Sequence, residues 1–300
     1  MTGAGRYAPS PSGDLHLGNL RTAILAWVMA RSTGREFRMR VEDLDRVRPG
    51  AEARQLEDLE AIGLDWDGPV VHQSRRGEAY AHALALLDAL GMTYECYCTR
   101  REILEAPSAP HAPPGAYPGT CRHLTEAQRE QGRARMRDLQ RMPAVRLAAD
   151  VTAWRVEDEF AGEVVGPVDD VVLRRGDGVI AYNLAVVVDD AAAGVDQVVR
   201  ADDLLTSAPR QAHLGALLGF AAPRYAHVPL AVSTSGTRLA KRDGAVTLRD
   251  RLERGETVGD VVERIGDSLG MSDCRTAADV LAQWDPAALP RQPWVVDLPA

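Results

Sequence analysis

The sequence predicts an α/β protein whose parallel sheet is split by an inserted middle segment. Residues 1–95 and 170–245 both alternate short strand patterns with helical patterns, which is typical of parallel sheets. Between them, residues 96–169 contain a proline-rich stretch and three cysteines, so we expect a separate inserted subdomain there. Residues 246–300 are predicted to form a short helical segment with a proline-rich tail.

The first half begins with a strand at Arg6–Ala8 and a loop of helix-breaking residues at Pro9–Gly13. Apolar residues then recur at helical spacing from Leu20 to Arg31, and Gly34 ends that pattern. A strand is predicted next at Phe37–Val41, followed by helices at Ala51–Ile62 and Ala79–Leu90, each of which is followed by glycine.

The middle segment is irregular before it becomes helical. Residues 106–119 hold five prolines and two glycines, which favours a loop. A helix is predicted over Thr125–Gln140, with Arg129, Arg133 and Arg137 on one face. We expect a solvated face there, although a contact with phosphates is the alternative.

The second half is predicted from three patterns. The continuous apolar run Leu184–Val188 suits a buried parallel strand. A helix over Thr206–Leu218 and a strand over Tyr225–Val232 follow. Ligands of open α/β sheets bind at the carboxyl ends of the strands, so the loops after these strands are the candidate site.

Composition and charge exclude several classes of protein. The 35 basic and 43 acidic residues give a net charge of −8, so any nucleic-acid contact must be local. No apolar run approaches the roughly 20 residues of a membrane span, and the N-terminus lacks the apolar core of a secretory signal. Four cysteines do not make a disulfide scaffold, and we expect a cytoplasmic protein that needs no membrane and acts as a monomer.

Two loops carry residues suited to a polyphosphate. His16 and Gly18 lie where the first loop enters a helix, and backbone N–H groups at a helix start favour phosphate. The second loop, 234–244, contains Arg238, Arg242 and Lys241, the single lysine of the chain. A compact ammonium in a protein that otherwise uses arginine suits a shifting phosphate charge. Taken alone, each loop favours an ordinary role as a helix cap or a solvated surface.

Together the two loops resemble the paired ATP signatures of class I aminoacyl-tRNA synthetases. The segments Gly5–Gly13, Arg40–Asp45, Asn183–Asp190 and Val199–Leu205 further resemble the catalytic domain of glutamyl-tRNA synthetases. This resemblance covers about residues 5–250 and implies a Rossmann-like parallel sheet. Asn19 stands where class I patterns can carry a second histidine, and Arg238 and Ala240 replace the usual lysine and serine.

Length favours one branch of that family. Only 59 residues follow Lys241, whereas a separate anticodon-binding domain needs about 100 or more. A glutamyl catalytic core of this size, with Gly63–Val70 followed by Gln73 and Ser74, resembles the glutamyl-Q tRNA(Asp) synthetases. The resemblance implies activation of L-glutamate with ATP and Mg²⁺, then transfer to queuosine in the anticodon of tRNA(Asp). A truncated glutamyl-tRNA synthetase and a silent tRNA-binding paralogue remain alternatives.

The same resemblance implies roles for individual residues. His16 and Lys241 are expected to be catalytic, stabilising the charge on phosphorus. Glutamate is expected to contact the first strand and its loop, the end of the second strand, and two residues of the second half: Arg6, Tyr7, Ala8, Pro9, Ser10, Glu42, Tyr182 and Arg200. ATP is expected to contact both signature loops: His16, Gly18, Asn19, Arg238 and Lys241.

The cysteines of the inserted segment predict a structural zinc site. Cys96, Cys98 and Cys121 lie close in sequence, and a tetrahedral site needs a fourth ligand. By ligand chemistry His111 or His123 would serve. The glutamyl-Q family pattern instead implies Tyr117, which we expect to complete the site.

Overall fold

A seven-stranded sheet forms the centre of the molecule. The computed structural model describes residues 3–105, 117–237, 239 and 246–297. In the order β3-β2-β1-β9-β10-β6-β7, all strands are parallel except β7, and a parallel bridge between Ala4 and Val195 joins β1 to the start of β9. The strands are β1 (Ala4–Tyr7), β2 (Glu36–Val41), β3 (Val71–His72), β6 (Ala153–Asp158), β7 (Gly162–Pro167), β9 (Gln197–Ala201) and β10 (Arg224–Val228).

Helices follow most of these strands and cover the sheet. The longest, α1, is buried over most of its length and lies against β1, β2 and β9. The helices are α1 (Leu17–Arg31), α2 (Ala51–Ala61), α3 (Gly77–Ala89), α4 (Arg100–Glu105), α5 (Glu126–Asp138), α6 (Tyr182–Ala192), α7 (Ala208–Leu217), α8 (Leu248–Glu253), α9 (Val258–Asp267) and α10 (Ala277–Ala282). Within the described ranges, none of them combines the length and apolar composition that a bilayer crossing requires.

The strand order places a ligand crevice between β1 and β9. The chain runs outward from β1 to β2 and β3, and later outward from β9 to β10 on the other side. At such a reversal the loops after neighbouring strands diverge and leave a crevice at their carboxyl ends. Arg6 and Arg200, on these two strands, therefore lie at the predicted position for ligand binding.

The inserted region has its own antiparallel sheet. Its strands, in the order β4-β5-β8, are β4 (Thr93–Cys96), β5 (Ala144–Leu147) and β8 (Val172–Arg174). This sheet extends beyond the predicted range 96–169 at both ends. The hairpin β6–β7 lies inside that range but pairs with β10 of the central sheet. The chain therefore returns to the central sheet at β6, then contributes β8 to the insertion before α6.

Two predictions for the second half were wrong. The run Leu184–Val188 lies inside helix α6, not in a strand. Leu184 and Ala185 are fully buried in a core shared with α3, β5, β8 and α7, so a helix enclosed on several sides also reads as uninterrupted apolar sequence. The predicted strand Tyr225–Val232 is two strands, because Pro229, which lacks an N–H donor, separates β10 from β11 (Ala231–Val232).

The C-terminal segment packs on the first half of the sheet. Apolar residues of α9 and α10 belong to the same core as α1. Strand β12 (Trp294–Val295) pairs in parallel with β11. This segment contains α8, α9 and α10, and it packs against both α1 and the strand that leads into the second signature loop.

Candidate active site

The first signature loop is held by backbone contacts and by a cap on α1. His16 Nδ1 accepts a hydrogen bond from the Asn19 N–H (3.2 Å), and the Asn19 side-chain oxygen accepts one from the His16 N–H (3.2 Å). Buried Gln55 donates to the carbonyls of Ser10 (3.0 Å) and Gly13 (2.5 Å). Since His16 Nδ1 is an acceptor, its proton is assigned to Nε2, which becomes a donor.

The residues on both sides of the second loop lie beside the first. The Leu17 N–H donates to the Val246 carbonyl (2.8 Å), and the Leu239 N–H donates to the Ala231 carbonyl (3.2 Å). A Cβ on Gly18 would approach the Ala231 side chain to 2.7 Å, so only glycine fits where α1 meets β11. The predicted residues Arg238 and Lys241 lie outside the described residues.

A buried carboxylate joins the first strand to the second. Asp190 on α6 accepts from Arg6 Nε (3.3 Å) and from Arg40 Nη1 (2.6 Å), and all three side chains are nearly inaccessible to solvent. Arg40 also donates to Glu42 (3.2 Å), and Arg6 donates to the Val199 carbonyl of β9 (3.1 Å). Asp190 thus places Arg6 across the β1–β9 crevice and supports the strand end that carries Glu42.

Opposing charges set the ionisation of this network. Burial alone would raise the pKa of Asp190, but Arg6 and Arg40 outweigh burial and hold it below its usual value. The pKa of Glu42 is raised by burial, which Arg40 and Arg6 offset only in part. A carboxyl group with a raised pKa is stabilised in its charged form by an added cation, so Glu42 suits a bound ammonium group.

Asp189, the neighbour of Asp190, anchors α6 to α3. Its carboxylate accepts from Gln73 (2.9 Å), from Arg76 (2.5 Å) and from the Tyr80 hydroxyl (2.7 Å), and it is almost fully buried. The two adjacent aspartates therefore hold α6 against two parts of the first half: Asp189 contacts α3 and the residues before it, and Asp190 contacts β1 and β2. Together they hold α6, whose first residue is Tyr182, against the first half of the chain.

Arg200 is a buried cation with neutral partners. It is 5% exposed, and it donates to His227 Nε2 (2.9 Å), to Gln211 (2.7 Å) and to the Leu204 carbonyl (3.3 Å). Among the described residues, no carboxylate oxygen lies within 4 Å of its guanidinium. Burial lowers the pKa of Arg200. A buried charge without a counterion is costly, so the site is suited to an anionic ligand.

Two tyrosines complete the crevice. Tyr182 is 41% exposed, and the charges of Glu42, Arg200 and Arg6 act on its hydroxyl. Its pKa is raised by desolvation and then by Glu42. Tyr7 is buried, and its hydroxyl donates to the Asn19 carbonyl in α1 (3.3 Å). The residues of β1, β9 and α6, and the residue at the end of β2, that are predicted to bind glutamate therefore converge. Ala8, Pro9 and Ser10 lie in the loop directly after β1.

Three cysteines and a tyrosine meet in the inserted region. The sulfurs of Cys96, Cys98 and Cys121 all lie within 4.8 Å of one another, and Cys98 and Cys121 are 3.5 Å apart. The Tyr117 hydroxyl lies 3.4 Å from the Cys96 sulfur and 3.7 Å from that of Cys98. Four ligands around a tetrahedral zinc are separated by about 3.8 Å when Zn–S bonds are about 2.3 Å. The donor set therefore has the spacing of a metal site.

The two histidines that were alternatives to Tyr117 differ in position. His123 is exposed and does not join the cysteine cluster, while His111 lies outside the described residues. The Arg146 guanidinium is 3.6 Å from the centre of the Tyr117 ring and donates to the Asp170 carbonyl (2.7 Å). Arg146 therefore packs against one face of the Tyr117 ring.

Two of the three arginines on the predicted face of α5 form ion pairs, and the third, Arg129, donates to the Leu124 carbonyl. Arg133 contacts Glu95 and Glu126, both at 2.8 Å, and Arg137 contacts Glu130 at 2.9 Å. These side chains are partly or largely exposed, as expected for a solvated helix face. Their charges are neutralised within the protein, so the alternative of a phosphate contact gains no support here.

Comparison with known proteins now identifies the family. A family model described as "tRNA synthetases class I (E and Q), catalytic domain" matches residues 4–267, which include the whole crevice. The chain belongs to the class I tRNA synthetases. A relative named glutamyl-Q tRNA(Asp) synthetase, from Nocardia farcinica, is 62% identical over 98% of this chain and 93% of its own. A relative of the same name, from Symbiobacterium thermophilum, is 44% identical over 99% of this chain and 96% of its own.

Solved structures agree on the class I synthetase fold. The glutamate-tRNA synthetase of Elizabethkingia anophelis superposes with a TM-score of 0.82 over 99% of this chain and 68% of that one. At 22% sequence identity this likeness establishes the fold alone. The prediction of an α/β class I synthetase with a parallel sheet is therefore confirmed.

Several residues of the site have no role in the sequence interpretation. Asp189, Asp190 and Arg40 lie within the motifs that carry the resemblance, but a motif does not say which carboxylate faces which arginine. Gln55, His227 and Asp158 lie in ordinary helix and strand patterns. The one sequence signal that could have singled out His227 was its position as a polar residue inside an otherwise apolar strand.

We predict that Asp190→Asn lowers the free energy of unfolding by about 3–5 kcal/mol at pH 7, because two buried guanidiniums lose their shared carboxylate. The folded-state pKa of Asp190 is depressed, so its contribution is present above its unfolded pKa of about 3.9 and is lost as pH falls through the folded value. The difference from wild type should therefore narrow below about pH 4, as measured by denaturant titration.

The matched control is Asp196→Asn, because Asp196 pairs with Arg35 at the surface, with its side chain 48% exposed. We expect it to cost about 1 kcal/mol or less. Equal losses in the two variants would contradict a structural role for the Asp190 network.

Proposed function

We propose that the chain activates L-glutamate with ATP and transfers it to queuosine in the anticodon of tRNA(Asp). The observation that carries the proposal is Arg200, a buried guanidinium without a carboxylate partner among the described residues, facing a crevice that also holds Arg6 and Glu42. Relatives 62% and 44% identical over nearly the whole chain are named for this activity.

In this proposal the charges of the crevice match those of glutamate. Arginine binds carboxylates through two parallel N–H bonds, so Arg200 and Arg6 would each take a carboxylate. Glu42 would take the ammonium, and Tyr182 would add a hydroxyl and exclude water. Arg6 has five N–H groups, and three of them donate to Asp190 and to the Val199 carbonyl. The other two make no hydrogen bond to the described residues and would be available to a carboxylate of the ligand.

ATP would bind at the start of α1, between the two signature loops. The glutamate α-carboxylate would attack the α-phosphorus, forming glutamyl-adenylate and releasing pyrophosphate with its bound Mg²⁺. His16 Nε2–H and the Lys241 ammonium would stabilise the added negative charge in the transition state. This assignment draws support from the hydrogen bond between Leu17 and Val246 and from the close approach of Gly18 to Ala231, which bring the residues on both sides of the second loop beside the first.

The second half-reaction would form an ester on the modified tRNA base. A hydroxyl of queuosine would attack the glutamyl carbonyl, and AMP would leave. We also expect a cytoplasmic location and a monomeric state, and the proposed reaction depends on neither. The main alternative, charging of tRNA(Glu) at its 3′ end, uses the same adenylate and differs only in the acceptor.

The decisive experiment follows labelled glutamate onto tRNA. Full-length protein is incubated with ATP, Mg²⁺, labelled glutamate and either queuosine-containing tRNA(Asp) or tRNA(Glu), and nuclease fragments are separated at acidic pH. We expect label on the anticodon fragment of tRNA(Asp), and none on tRNA(Asp) that lacks queuosine. Label at the 3′ end of tRNA(Glu) would overturn the proposal, and absence of glutamate-dependent pyrophosphate exchange would favour a silent paralogue.

We predict that Lys241→Ala lowers the rate of glutamate-dependent pyrophosphate exchange by about 100-fold or more, because a charge that stabilises the transition state is lost. The KM for glutamate should change little. Arg242→Ala is the control in the same loop, with an expected loss below about tenfold. Retention of the wild-type rate in Lys241→Ala would refute its catalytic role.

We also propose that Cys96, Cys98, Tyr117 and Cys121 bind one structural Zn²⁺. The separations of the four donor atoms support this set, and zinc is normally held by thiolates in closed structural sites. The metal would tie the start of the insertion, at the end of β4, to the segment that precedes α5. No step of the reaction is assigned to it.

We predict that wild-type protein contains one zinc per chain by atomic emission spectrometry, and that Tyr117→Phe weakens zinc binding by about tenfold or more in a competition with a chelator. Cys98→Ser should have a larger effect, whereas Cys274→Ser, a buried cysteine outside the cluster, should have none. If His111→Ala or His123→Ala releases zinc and Tyr117→Phe does not, the fourth ligand is a histidine.

A further inference from the structure

Three buried residues on neighbouring strands form a hydrogen-bonded chain that ends at Arg200. Asp158 is the last residue of β6, His227 lies on β10, and Arg200 lies opposite His227 on β9. Asp158 Oδ2 is 2.6 Å from His227 Nδ1, and Arg200 Nε is 2.9 Å from His227 Nε2. The side chains of Asp158 and His227 are 0% and 1% exposed, so water cannot replace these contacts.

The chain determines the tautomer of His227. An arginine Nε always donates, so His227 Nε2 must accept and the ring proton must lie on Nδ1, facing Asp158. The imidazole is therefore neutral. Burial and then Arg200 favour this state and outweigh Asp158, so the pKa of His227 is lowered.

Asp158 is fully satisfied without a cation. Its two oxygens accept from the His227 ring, from the His227 N–H (3.0 Å), and from the Phe160 and Ala161 N–H groups (both 2.9 Å). Four hydrogen bonds stabilise the carboxylate, and its pKa is lowered although burial alone would raise it. The negative charge is thus held on the far side of the imidazole from Arg200.

We infer that Asp158 and His227 are specificity-determining positioning residues: they orient Arg200 while leaving its charge for the carboxylate of the substrate. A carboxylate placed directly against Arg200 would orient it equally well but would neutralise it and compete with the ligand. A neutral acceptor orients without competing. The inference rests on the proposed function and deepens it, since it explains selection of a side-chain carboxylate over the amide of glutamine.

Protonation of His227 would reverse the contact, because Nε2 would become a donor facing Arg200. Binding of glutamate should therefore weaken as the pH falls below the ordinary histidine pKa of about 6.5, since the pKa of His227 is lowered from that value. Titratable and charged groups act on His227 from five elements: Asp158 of β6, Arg200 of β9, Tyr225 of β10, Arg6 of β1, and Asp202 of the 3₁₀ helix Asp202–Ser207. A comparison between variants must separate His227 from these groups.

The test compares two substitutions of His227 in the full chain. His227→Gln keeps a neutral acceptor for Arg200 and a donor for Asp158 but cannot titrate. His227→Leu removes the acceptor. In pyrophosphate exchange, we expect His227→Leu to raise the KM for glutamate by about 10- to 100-fold, with kcat changed much less, and to lower the preference for glutamate over glutamine by a similar factor.

We expect His227→Gln to retain the preference for glutamate and to lack the rise of KM that we expect of the wild type as the pH falls below about 6.5. The matched control is His213→Gln. His213 is a second buried histidine, and it contacts Asp150 (2.8 Å) but not Arg200. Thermal unfolding of each variant shows whether it is folded, and calorimetric titration with glutamate and glutamine measures binding without ATP.

The possible outcomes separate this inference from the proposed function. If wild type exchanges with glutamate but folded His227→Leu keeps the wild-type KM and glutamate preference, the inference is wrong and the proposed function stands. A similar loss in His213→Gln would assign the effect to general stability and also overturn it. If wild type neither exchanges nor binds glutamate in calorimetry, both fail.

Discussion

The contact of Asp190 with Arg6 and Arg40 is the constraint on which the crevice depends. It joins α6, from the second half of the chain, to β1 and β2 of the first half, which lie 184 and 150 positions away in sequence. Two guanidiniums buried side by side would repel each other, and one shared carboxylate makes the arrangement stable. The same contact places Arg6 toward β9 and positions Arg40 to hold Glu42, so the charges of the site are set before any ligand binds.

The two buried arginines of the crevice are held in different ways. Arg6 has a carboxylate partner within the protein, whereas Arg200 has only neutral acceptors among the described residues. An arginine that pairs with a carboxylate of the protein is held in a fixed orientation, but its charge is partly neutralised. An arginine with neutral partners keeps its full charge. This difference gives the crevice a polarity: the anionic end of a ligand is favoured at Arg200, and a cationic group is favoured near Glu42.

The inserted region is interrupted along the chain by strands of the central sheet. Its antiparallel sheet and cysteine cluster lie between the two halves of the sequence, yet the hairpin β6–β7 returns to the central sheet before β8 completes the insertion. Asp158, at the end of β6, can therefore reach His227 on β10. The support of Arg200 consequently depends on a strand that the sequence assigns to the insertion.

Local sequence determined the class of fold, the two signature loops, most helices of the first half and the types of residue at the site, because these depend on periodicity, glycine placement and short motifs. The tertiary structure decided that Leu184–Val188 is a helix, since a helix buried on several sides has the same uninterrupted apolar pattern as a buried strand. It also decided which carboxylate faces which arginine, and that His227 is a neutral acceptor. Those properties arise from contacts between distant residues in a water-free interior, where a single neighbour changes the charge state of a group, and no local pattern encodes them.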